Sequence, residues 1–289
     1  MPLLKVIVLA IVQGFAELLP VSSSAHVVVA EKLLGLDPSS PPMTLLLVML
    51  HTGTMLAVIA YFWPQWRATY FQSASAFRSF AVLIAVATAC TAVIGFGLLK
   101  IIEKTLLREV SHAQIEDLFS HLEFIAPALA AVGVLIVIAG LSERRQRERE
   151  PAGVGGLNVQ RAGLIGAVQG LCLPFRGFSR SGATISTGML LGVAKSRAEA
   201  FSFALAVVLT PPVVAREVMR LVRSVHAGGT GDLASAAFAS VLGALVALVA
   251  GLLALRWLSR WLEGGRWYLF GIYCLVAAVA VGLLHRAGY

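Results

Sequence analysis

Six long apolar stretches dominate the hydrophobic pattern of the chain. Each contains about twenty mainly apolar residues, the length that a helix needs to cross the roughly 30 Å hydrocarbon core of a bilayer. They cover residues 43–63, 80–102, 124–141, 200–221, 233–255 and 267–284. The pattern therefore predicts six membrane-spanning helices.

Four further apolar stretches are too short to span and occur in two pairs. Residues 3–19 and 25–36 form the first pair, and residues 159–173 and 182–193 form the second. Residues 25–36 would make a helix of only about 18 Å at 1.5 Å per residue. The first pair is interrupted at Pro20 and the second by the turn "PFRGFSRSG". The pattern predicts two re-entrant helical hairpins, each followed by three spans.

The two predicted hairpins also resemble each other in sequence. "VQG" begins at Val12 and again at Val168, prolines follow at Pro20 and Pro174, and "SSSA" in the first hairpin corresponds to "SRSG" in the second. Because an odd number of spans separates the hairpins, the second would enter from the opposite face of the membrane. The chain is therefore predicted to be an inverted-topology repeat.

The predicted fold class is an all-α polytopic membrane protein with a single integral membrane domain, residues 1–289. Its repeat halves, 1–141 and 159–289, are joined by a basic cytoplasmic loop, 142–158. Interrupted helices are tolerated at membrane depth only where protein or a water-filled cavity surrounds them. We therefore expect the two hairpin tips to meet near the midplane and to mark a polar cavity.

Composition and charge agree with a membrane protein. The chain is 58% hydrophobic and only 13% charged, unlike soluble domains, and its three cysteines have no metal-ligand spacing. The net charge of +8 comes from basic residues in the connections between apolar runs, which argues for membrane orientation and against nucleic-acid binding. Placing "SERRQRERE" in the cytoplasm puts both termini and the mouth of the first hairpin outside. Three arginines oppose this orientation: Arg216, Arg220 and Arg223.

Candidate chemistry lies at the two predicted tips. Gln13 and Glu17 are one helical turn apart on the same face of the first limb. Serines follow Pro20 as candidates for the start of the returning helix, with His26 in its first turn. The second tip carries further hydroxyls, an arginine and flanking glycines. The serines of the first tip, Ser22, Ser23 and Ser24, would face these residues of the second tip: Ser179, Arg180, Ser181 and Thr184.

Two helix starts that converge with an arginine would form an anion site, most naturally for phosphate. An isolated carboxylate or arginine inside a membrane is costly, so Glu17 and Arg180 favour a functional interpretation. Serine is common at helix starts and between membrane helices, and a lone histidine is equally consistent with a packing role. The combination carries the inference rather than any single residue.

These segments closely resemble a known family. "VQGFAELLPVSSSAH" and "GFSRSGATIS" are similar to the two signature motifs of the undecaprenyl-diphosphate phosphatase family, also called bacitracin-resistance proteins. "HTGTMLAVIAYFW", "RAEAFSFALAV" and "FGIYCLVAAVAVGLL" extend the resemblance over essentially the whole chain. The resemblance implies an enzyme of the bacterial inner membrane that removes the terminal phosphate of undecaprenyl diphosphate. The monophosphate is the lipid carrier for peptidoglycan synthesis, and Mg or Ca dependence is implied.

The family motifs carry over to this chain residue by residue. Gln13 and Glu17 match the Glu/Gln-x-x-x-Glu motif. The serine pair and histidine that follow it in the family match Ser22, Ser23 and His26, and the Ser-Arg-Ser motif matches the second tip at Ser179, Arg180, Ser181 and Thr184. The resemblance implies that Arg180 grips the phosphates, that Ser181 and Thr184 surround their oxygens, and that Glu17 binds the metal or acts as base. Ser23 is the candidate nucleophile with His26 as its acid/base partner. A metal-activated water would use the same residues.

Two departures from the family pattern affect these expectations. Gln13 is the neutral option at its position, so Glu17 is the only carboxylate of its motif, and metal affinity without substrate should be weak. In "LPFRGFSRSG", Arg176 replaces part of the usual Pro-Gly pair before the Ser-Arg-Ser element. Arg176 is either a second phosphate contact or a loop charge.

A transporter or flippase of an anionic polyprenyl phosphate lipid is the alternative, because inverted repeats with broken helices are also transporter architecture. A carboxylate, a histidine and hydroxyls around one anion site favour the enzyme, since a binding site has little use for a base. A scaffolding role leaves Glu17 and Arg180 unexplained. Metal identity, chain-length specificity, a homodimer and accompanying lipid flipping stay open. Four further residues have no assigned role: His51, His112, His121 and Glu199.

Overall fold

The computed structural model describes residues 2–37, 40–106, 122–149, 156–226, 233–263 and 265–288. His112 and His121 lie outside this part of the chain. The described residues are folded as α-helices joined by short turns. In chain order the helices are α1 (Leu3–Leu18), α2 (Ser23–Leu33), α3 (Pro41–Tyr70), α4 (Ala74–Leu106), α5 (Leu122–Arg149), α6 (Val159–Cys172), α7 (Arg180–Leu190), α8 (Lys195–His226), α9 (Leu233–Glu263) and α10 (Tyr268–Arg286).

Five of these helices are long and apolar enough to cross a membrane: α3, α4, α5, α9 and α10. They contain five of the six predicted spans. The sixth, 200–221, lies within α8, which is 32 residues long. Buried polar residues near its start, including Glu199 and Ser202, and arginines in its second half lower its hydropathy. The chain is thus a multi-pass membrane protein in which α8 is the least apolar of the predicted spans.

The two predicted hairpins are present as helix pairs. α1 packs against α2, and α6 packs against α7. The limbs are short, with 16 and 11 residues in the first hairpin and 14 and 11 in the second. The first hairpin turns at 19–22 and the second at 173–179, where Pro20 and Pro174 prevent the helices from continuing.

The basic linker differs from its prediction. Residues 142–158 were expected to form a loop, but α5 continues through this segment as far as Arg149. Glu, Arg and Gln are good helix formers, so the charged sequence extends the apolar helix instead of ending it. Lys195, at the start of α8, lies 3.4 Å from Glu143 in this extension.

Helices of the two halves pack across each other. α1 lies against α9, α6 lies against α4, and the most extensive contacts join α3 to α9 and α5 to α10. The largest buried cluster includes side chains from both hairpins, among them Leu18 and Ile185, together with Phe62, Phe203 and Trp267. The core of the molecule therefore surrounds the hairpins on several sides.

The repeated "VQG" places a glycine at the same kind of contact in each half. A Cβ atom on Gly14 would lie 2.9 Å from the carbonyl oxygen of Ala247 in α9. A Cβ atom on Gly170 would lie 2.8 Å from the carbonyl oxygen of Thr91 in α4. Such small residues let membrane helices approach backbone to backbone. The motif thus holds the first limb of each hairpin against a helix of the other half, α1 against α9 and α6 against α4.

Candidate active site at the hairpin tips

The two hairpin tips contact each other through backbone and side-chain hydrogen bonds. The Gly177 N–H donates to Ser24 Oγ at 3.2 Å. Ser181 Oγ donates to the carbonyl oxygen of Leu19 at 3.3 Å. These contacts join residues that are more than 150 positions apart in the chain. The meeting of the tips, which the sequence repeat predicted, is therefore present in the structure.

Glu17 is the centre of the polar cluster between the tips. Its Oε1 accepts from Arg180 Nη2 at 2.9 Å, which makes an ion pair between the hairpins. Its Oε2 accepts from Ser23 Oγ at 2.5 Å and from Gln13 Nε2 at 3.2 Å. The structure thus brings three predicted site residues, Gln13, Ser23 and Arg180, around the carboxylate of a fourth, Glu17, and each oxygen of that carboxylate has a donor.

Arg180 keeps one donor nitrogen available. Its Nη1 is buried and has no hydrogen-bond partner among the described residues, whereas Nη2 holds Glu17. A buried unpaired donor is costly, and a guanidinium can bind phosphate through two nitrogens. Arg180 therefore offers a ready contact to an anionic group at the tips.

The hydroxyls of the second tip shape the start of α7. Ser179 Oγ accepts from the Gly182 N–H at 3.2 Å and caps the helix, while Ser181 bonds to the first tip. Thr184 differs from its prediction, because its side chain is fully buried and faces α8. Its Oγ1 lies 2.6 Å from Ser202 Oγ and donates to the Arg180 carbonyl oxygen at 2.8 Å. Thr184 supports the backbone under Arg180 and does not face the site.

Ser22 occupies the sharpest point of the first tip. Its φ of 70° is in the left-handed region, which L-residues other than Asn and Asp rarely adopt. Its side chain is buried and lies 3.2 Å from Ser24 Oγ. The conformation turns the chain from α1 into α2 and directs the next residue, Ser23, toward Glu17.

His26 differs from its expected role as the acid/base partner of Ser23. Its Nδ1 lies 2.7 Å from the Ser22 carbonyl oxygen and its Nε2 lies 2.7 Å from the Tyr273 hydroxyl. Both ring nitrogens are therefore engaged, and the Ser23 hydroxyl donates to Glu17 instead. Local sequence placed His26 near the serines but could not reveal a partner on α10.

His51 of α3 is the group that the sequence left without a role and the structure brings to the site. Its Nε2 lies 3.9 Å from Glu17 Oε2, and its Nδ1 lies 2.8 Å from the Leu47 carbonyl oxygen. A carbonyl only accepts, so Nδ1 carries the hydrogen, and Nε2 is the ring nitrogen nearer Glu17. The apolar surroundings of "LHTGT" gave only a weak sign of this position.

Comparison with known proteins identifies the family. The sequence model of the family described as "Bacitracin resistance protein BacA" matches residues 6–280 of the chain. The chain belongs to the BacA family. It is 55% identical over 278 residues to undecaprenyl-diphosphatase 2 of Acinetobacter baylyi, with 95% of each chain covered.

More distant relatives carry the same name. The chain is 34% identical to an undecaprenyl-diphosphatase of Desulfosudis oleivorans, over 93% of this chain and 94% of that protein. It is 30% identical to an undecaprenyl-diphosphatase of Rhodopirellula baltica, over 98% of both. The resemblance in the sequence motifs is thus confirmed over nearly the full length of the chain.

Two further charged residues of this BacA-family chain lie on the hairpins, outside the cluster around Glu17. Arg176 lies on the second tip, half-buried, and acts electrostatically on Glu31 of α2. Glu31 is buried, and its Oε1 has no hydrogen-bond partner within the described residues. Burial raises the pKa of Glu31 to about 7, and the positive charge of Arg176 offsets only part of that effect.

A divalent metal fits this site only together with a phosphate ligand. The part of the chain that the structure describes has no group of three or more His, Cys, Asp or Glu residues placed to hold an ion. At the tips Glu17 supplies one carboxylate, and both its oxygens already accept hydrogen bonds. Mg²⁺ commonly uses one or two carboxylates with substrate phosphates and water, and Glu17 suits that arrangement.

Proposed function

We propose that the protein hydrolyses undecaprenyl diphosphate to undecaprenyl phosphate and inorganic phosphate, recycling the lipid carrier of bacterial cell-wall synthesis. Membership of the BacA family and the names of its relatives support the substrate and the reaction. The site supports the same chemistry, because it combines an anion-binding arginine with a hydroxyl bonded to a carboxylate. Such an activity also accounts for bacitracin resistance, the property that gives the family its name.

The geometry of Arg180 carries this proposal. One guanidinium nitrogen orients Glu17, and the second is buried without a partner in the described structure. Arg180 Nη1 would bind an oxygen of the terminal phosphate while Nη2 keeps Glu17 in place. The N–H groups at the start of α2 and α7 add further donors around the same point. We propose Gln13, Ser22, Ser179 and Ser181 as residues that shape this phosphate site, with Arg176 at its edge.

Ser23 is the proposed nucleophile and Glu17 its base. The Ser23 hydroxyl points its hydrogen at Glu17 Oε2, which is within proton-transfer distance at 2.5 Å. As Ser23 Oγ forms a bond to the terminal phosphorus, the bond to the bridging oxygen breaks and undecaprenyl phosphate leaves. The proton of Ser23 passes to Glu17. Glu17 in this scheme replaces His26, which the sequence motif had suggested as the partner of Ser23.

Water completes the proposed reaction. It attacks the phosphorus of phosphorylated Ser23, the Oγ–P bond breaks, and inorganic phosphate and the free hydroxyl are formed. Glu17 passes the proton from Ser23 to the departing undecaprenyl phosphate, and it then takes a proton from the attacking water and delivers it to Ser23 Oγ, which returns Glu17 to the carboxylate. Glu17 would be the residue that holds a Mg or Ca ion, which would supply charge neutralisation for the diphosphate when bound. Arg180 stabilises the same charge.

The proposed fold is an inverted repeat of residues 1–141 and 159–289 within one membrane domain. Reciprocal packing supports it, because α1 lies on α9 of the second half while α6 lies on α4 of the first. We propose a location in the inner membrane, with the basic end of α5 in the cytoplasm and the site open to the periplasm. Alkaline phosphatase fused to the carboxyl terminus should then be active, and an inactive fusion would reverse the orientation.

The decisive experiment measures phosphate release from undecaprenyl diphosphate by the purified protein in detergent. Wild-type protein with Mg should release phosphate, and EDTA should abolish release. Arg180→Ala should lose activity by at least about 100-fold, because it removes the main donor to the developing charge. Glu143→Ala, which breaks an ion pair outside the tips, is the matched control and should stay active. No release by folded wild-type protein across metals and chain lengths would point to lipid transport instead.

A second experiment tests the nucleophile. Wild-type protein mixed with substrate labelled at the terminal phosphate and quenched in acid should carry covalent label, and Ser23→Ala should carry none. Absence of label in wild-type protein under several quench times, with Ser23→Ala still active, would assign the attack to water. A homodimer is compatible with either result, because the Glu17–Arg180 pair forms within one chain.

A further inference from the structure

A chain of contacts joins the first hairpin tip to α10. His26 Nδ1 lies 2.7 Å from the Ser22 carbonyl oxygen, and His26 Nε2 lies 2.7 Å from the Tyr273 hydroxyl. The two rings are also stacked, with centroids 5.6 Å apart and an interplanar angle of 12°. The carbonyl can only accept, so the Nδ1 of His26 carries the hydrogen. In the neutral ring Nε2 therefore accepts from Tyr273.

The His26 ring contacts the carbonyl of Ser22, which has the most unusual backbone conformation of the tip. Ser22 is the one non-glycine residue with positive φ in the described ranges. A left-handed conformation is unfavourable for an L-residue and persists where surrounding contacts hold it. Ser23 follows directly, and its hydroxyl must stay on Glu17 for the proposed attack. The His26 ring is thus attached to the backbone that sets the direction of Ser23.

We propose that Tyr273 is a positioning residue of the active site, which acts through His26 to hold the Ser22 turn and thereby Ser23. This inference rests on the proposed phosphatase function. The Tyr273 hydroxyl fixes the tautomer and the plane of the imidazole, and the imidazole fixes the Ser22 carbonyl. The described hydrogen bonds and ion pairs of Glu17 go to other residues than Tyr273 and His26, so the pair works through geometry rather than by proton transfer to Ser23.

The position of Tyr273 makes the inference testable with little damage to the fold. Its residue surface is 47% exposed, whereas the neighbouring Cys274 is fully buried. Tyr273→Phe removes the hydroxyl and retains the ring that stacks on His26. Tyr268→Phe removes a hydroxyl from the first turn of the same helix and is the matched control.

The first readout is steady-state phosphate release. Tyr273→Phe should lower kcat about 10- to 100-fold, the range expected when a reacting group is misplaced by about 1 Å. KM should change by less than about two-fold, because the phosphate contacts of Arg180 remain. Tyr268→Phe should match wild type in both constants. Wild-type kcat in Tyr273→Phe would overturn the proposal.

A double-mutant cycle separates positioning from general stabilisation. Because Tyr273 acts only through His26, adding Tyr273→Phe to His26→Ala should cause no further loss of kcat. Multiplying losses would show that the two residues act independently and would contradict the proposal. Equal thermal unfolding midpoints for wild type, Tyr273→Phe and Tyr268→Phe keep the comparison free of folding effects.

A third measurement does not depend on catalysis. In protein labelled with ¹⁵N-histidine, the six histidines give resolvable ring signals, and His26→Gln identifies those of His26. The Nε2 resonance of His26 should move in Tyr273→Phe and stay in Tyr268→Phe. An unchanged resonance rejects the hydrogen bond even if wild-type protein is active. A shifted resonance in a protein without phosphatase activity rejects the proposed reaction and keeps the contact.

Discussion

At the scale of single residues, the Glu17–Arg180 pair controls both charge and orientation at the tips. Arg180→Lys keeps the charge but loses the planar fork that reaches Glu17 and a phosphate together. We expect phosphate release to fall about 100-fold in Arg180→Lys and in Glu17→Gln. Lys195→Arg, at an ion pair outside the site, serves as the comparison and should remain within about two-fold of wild type. Full activity of Arg180→Lys would show that a point charge is sufficient.

Ser22 gives a prediction about the backbone. Glycine adopts positive φ without steric cost, so Ser22→Gly should fold as wild type does. A β-branched residue is a conformational outlier there, and Ser22→Val should lower the free energy of unfolding by about 1–2 kcal/mol. Thermal unfolding in detergent compares the two variants. If Ser22→Val is as stable as wild type, the left-handed turn is not a constraint on this tip.

The residues at the tips show how far the sequence alone could go. Glu17, Arg180 and Ser23 were predictable because charge and hydroxyls inside apolar segments need a partner or a function. The partners of His26 and the position of His51 were not, since these contacts join different helices and leave no local pattern. The sequence did not reveal that Thr184 faces α8, because a small rotation of α7 about its axis decides whether this side chain faces the tip or α8.

At the scale of helices, the hairpins depend on close backbone approach. Gly170→Ala would place a methyl group 2.8 Å from the Thr91 carbonyl oxygen, so α6 must move away from α4. Overpacking of this kind costs about 1–3 kcal/mol. Titration with a denaturing detergent should show that loss for Gly170→Ala.

The same titration has a matched control on α4. A Cβ atom on Gly97 would meet no atom of the described residues within 4 Å, and replacing glycine by alanine in a helix favours folding by up to about 1 kcal/mol. Gly97→Ala should therefore be as stable as wild type or slightly more stable. Equal losses in both variants would mean that the loss in Gly170→Ala does not come from the α4–α6 contact.

The elements themselves were mostly predictable. Apolar length identified α3, α4, α5, α9 and α10, and Pro20 and Pro174 located the hairpin turns. The charged extension of α5 was wrongly expected to be a loop, because polarity was used as evidence against a helix. In this segment intrinsic helix propensity continued the helix beyond its apolar part.

At the scale of the whole molecule, the hairpin of each half packs against a helix of the other half. α1 depends on α9 and α6 on α4, so residues 1–152 or 153–289 expressed alone should not release phosphate. Co-expression of both pieces should restore measurable activity, because the contacts between halves are non-covalent. Phosphate release is measured in membranes from three strains, two that express one piece each and one that co-expresses both. Activity from either piece alone would show that one hairpin suffices.

The separation of Glu17 and Arg180 along the chain has a consequence for biosynthesis. The two residues are 163 positions apart, so at about 5–20 residues per second the ribosome needs roughly 8–30 s to supply the partner of Glu17. Throughout that interval the nascent first hairpin carries a carboxylate without its cation. Until Arg180 is in place, the carboxylate must stay near water or take up a proton, because an unpaired charge in the hydrocarbon core is costly.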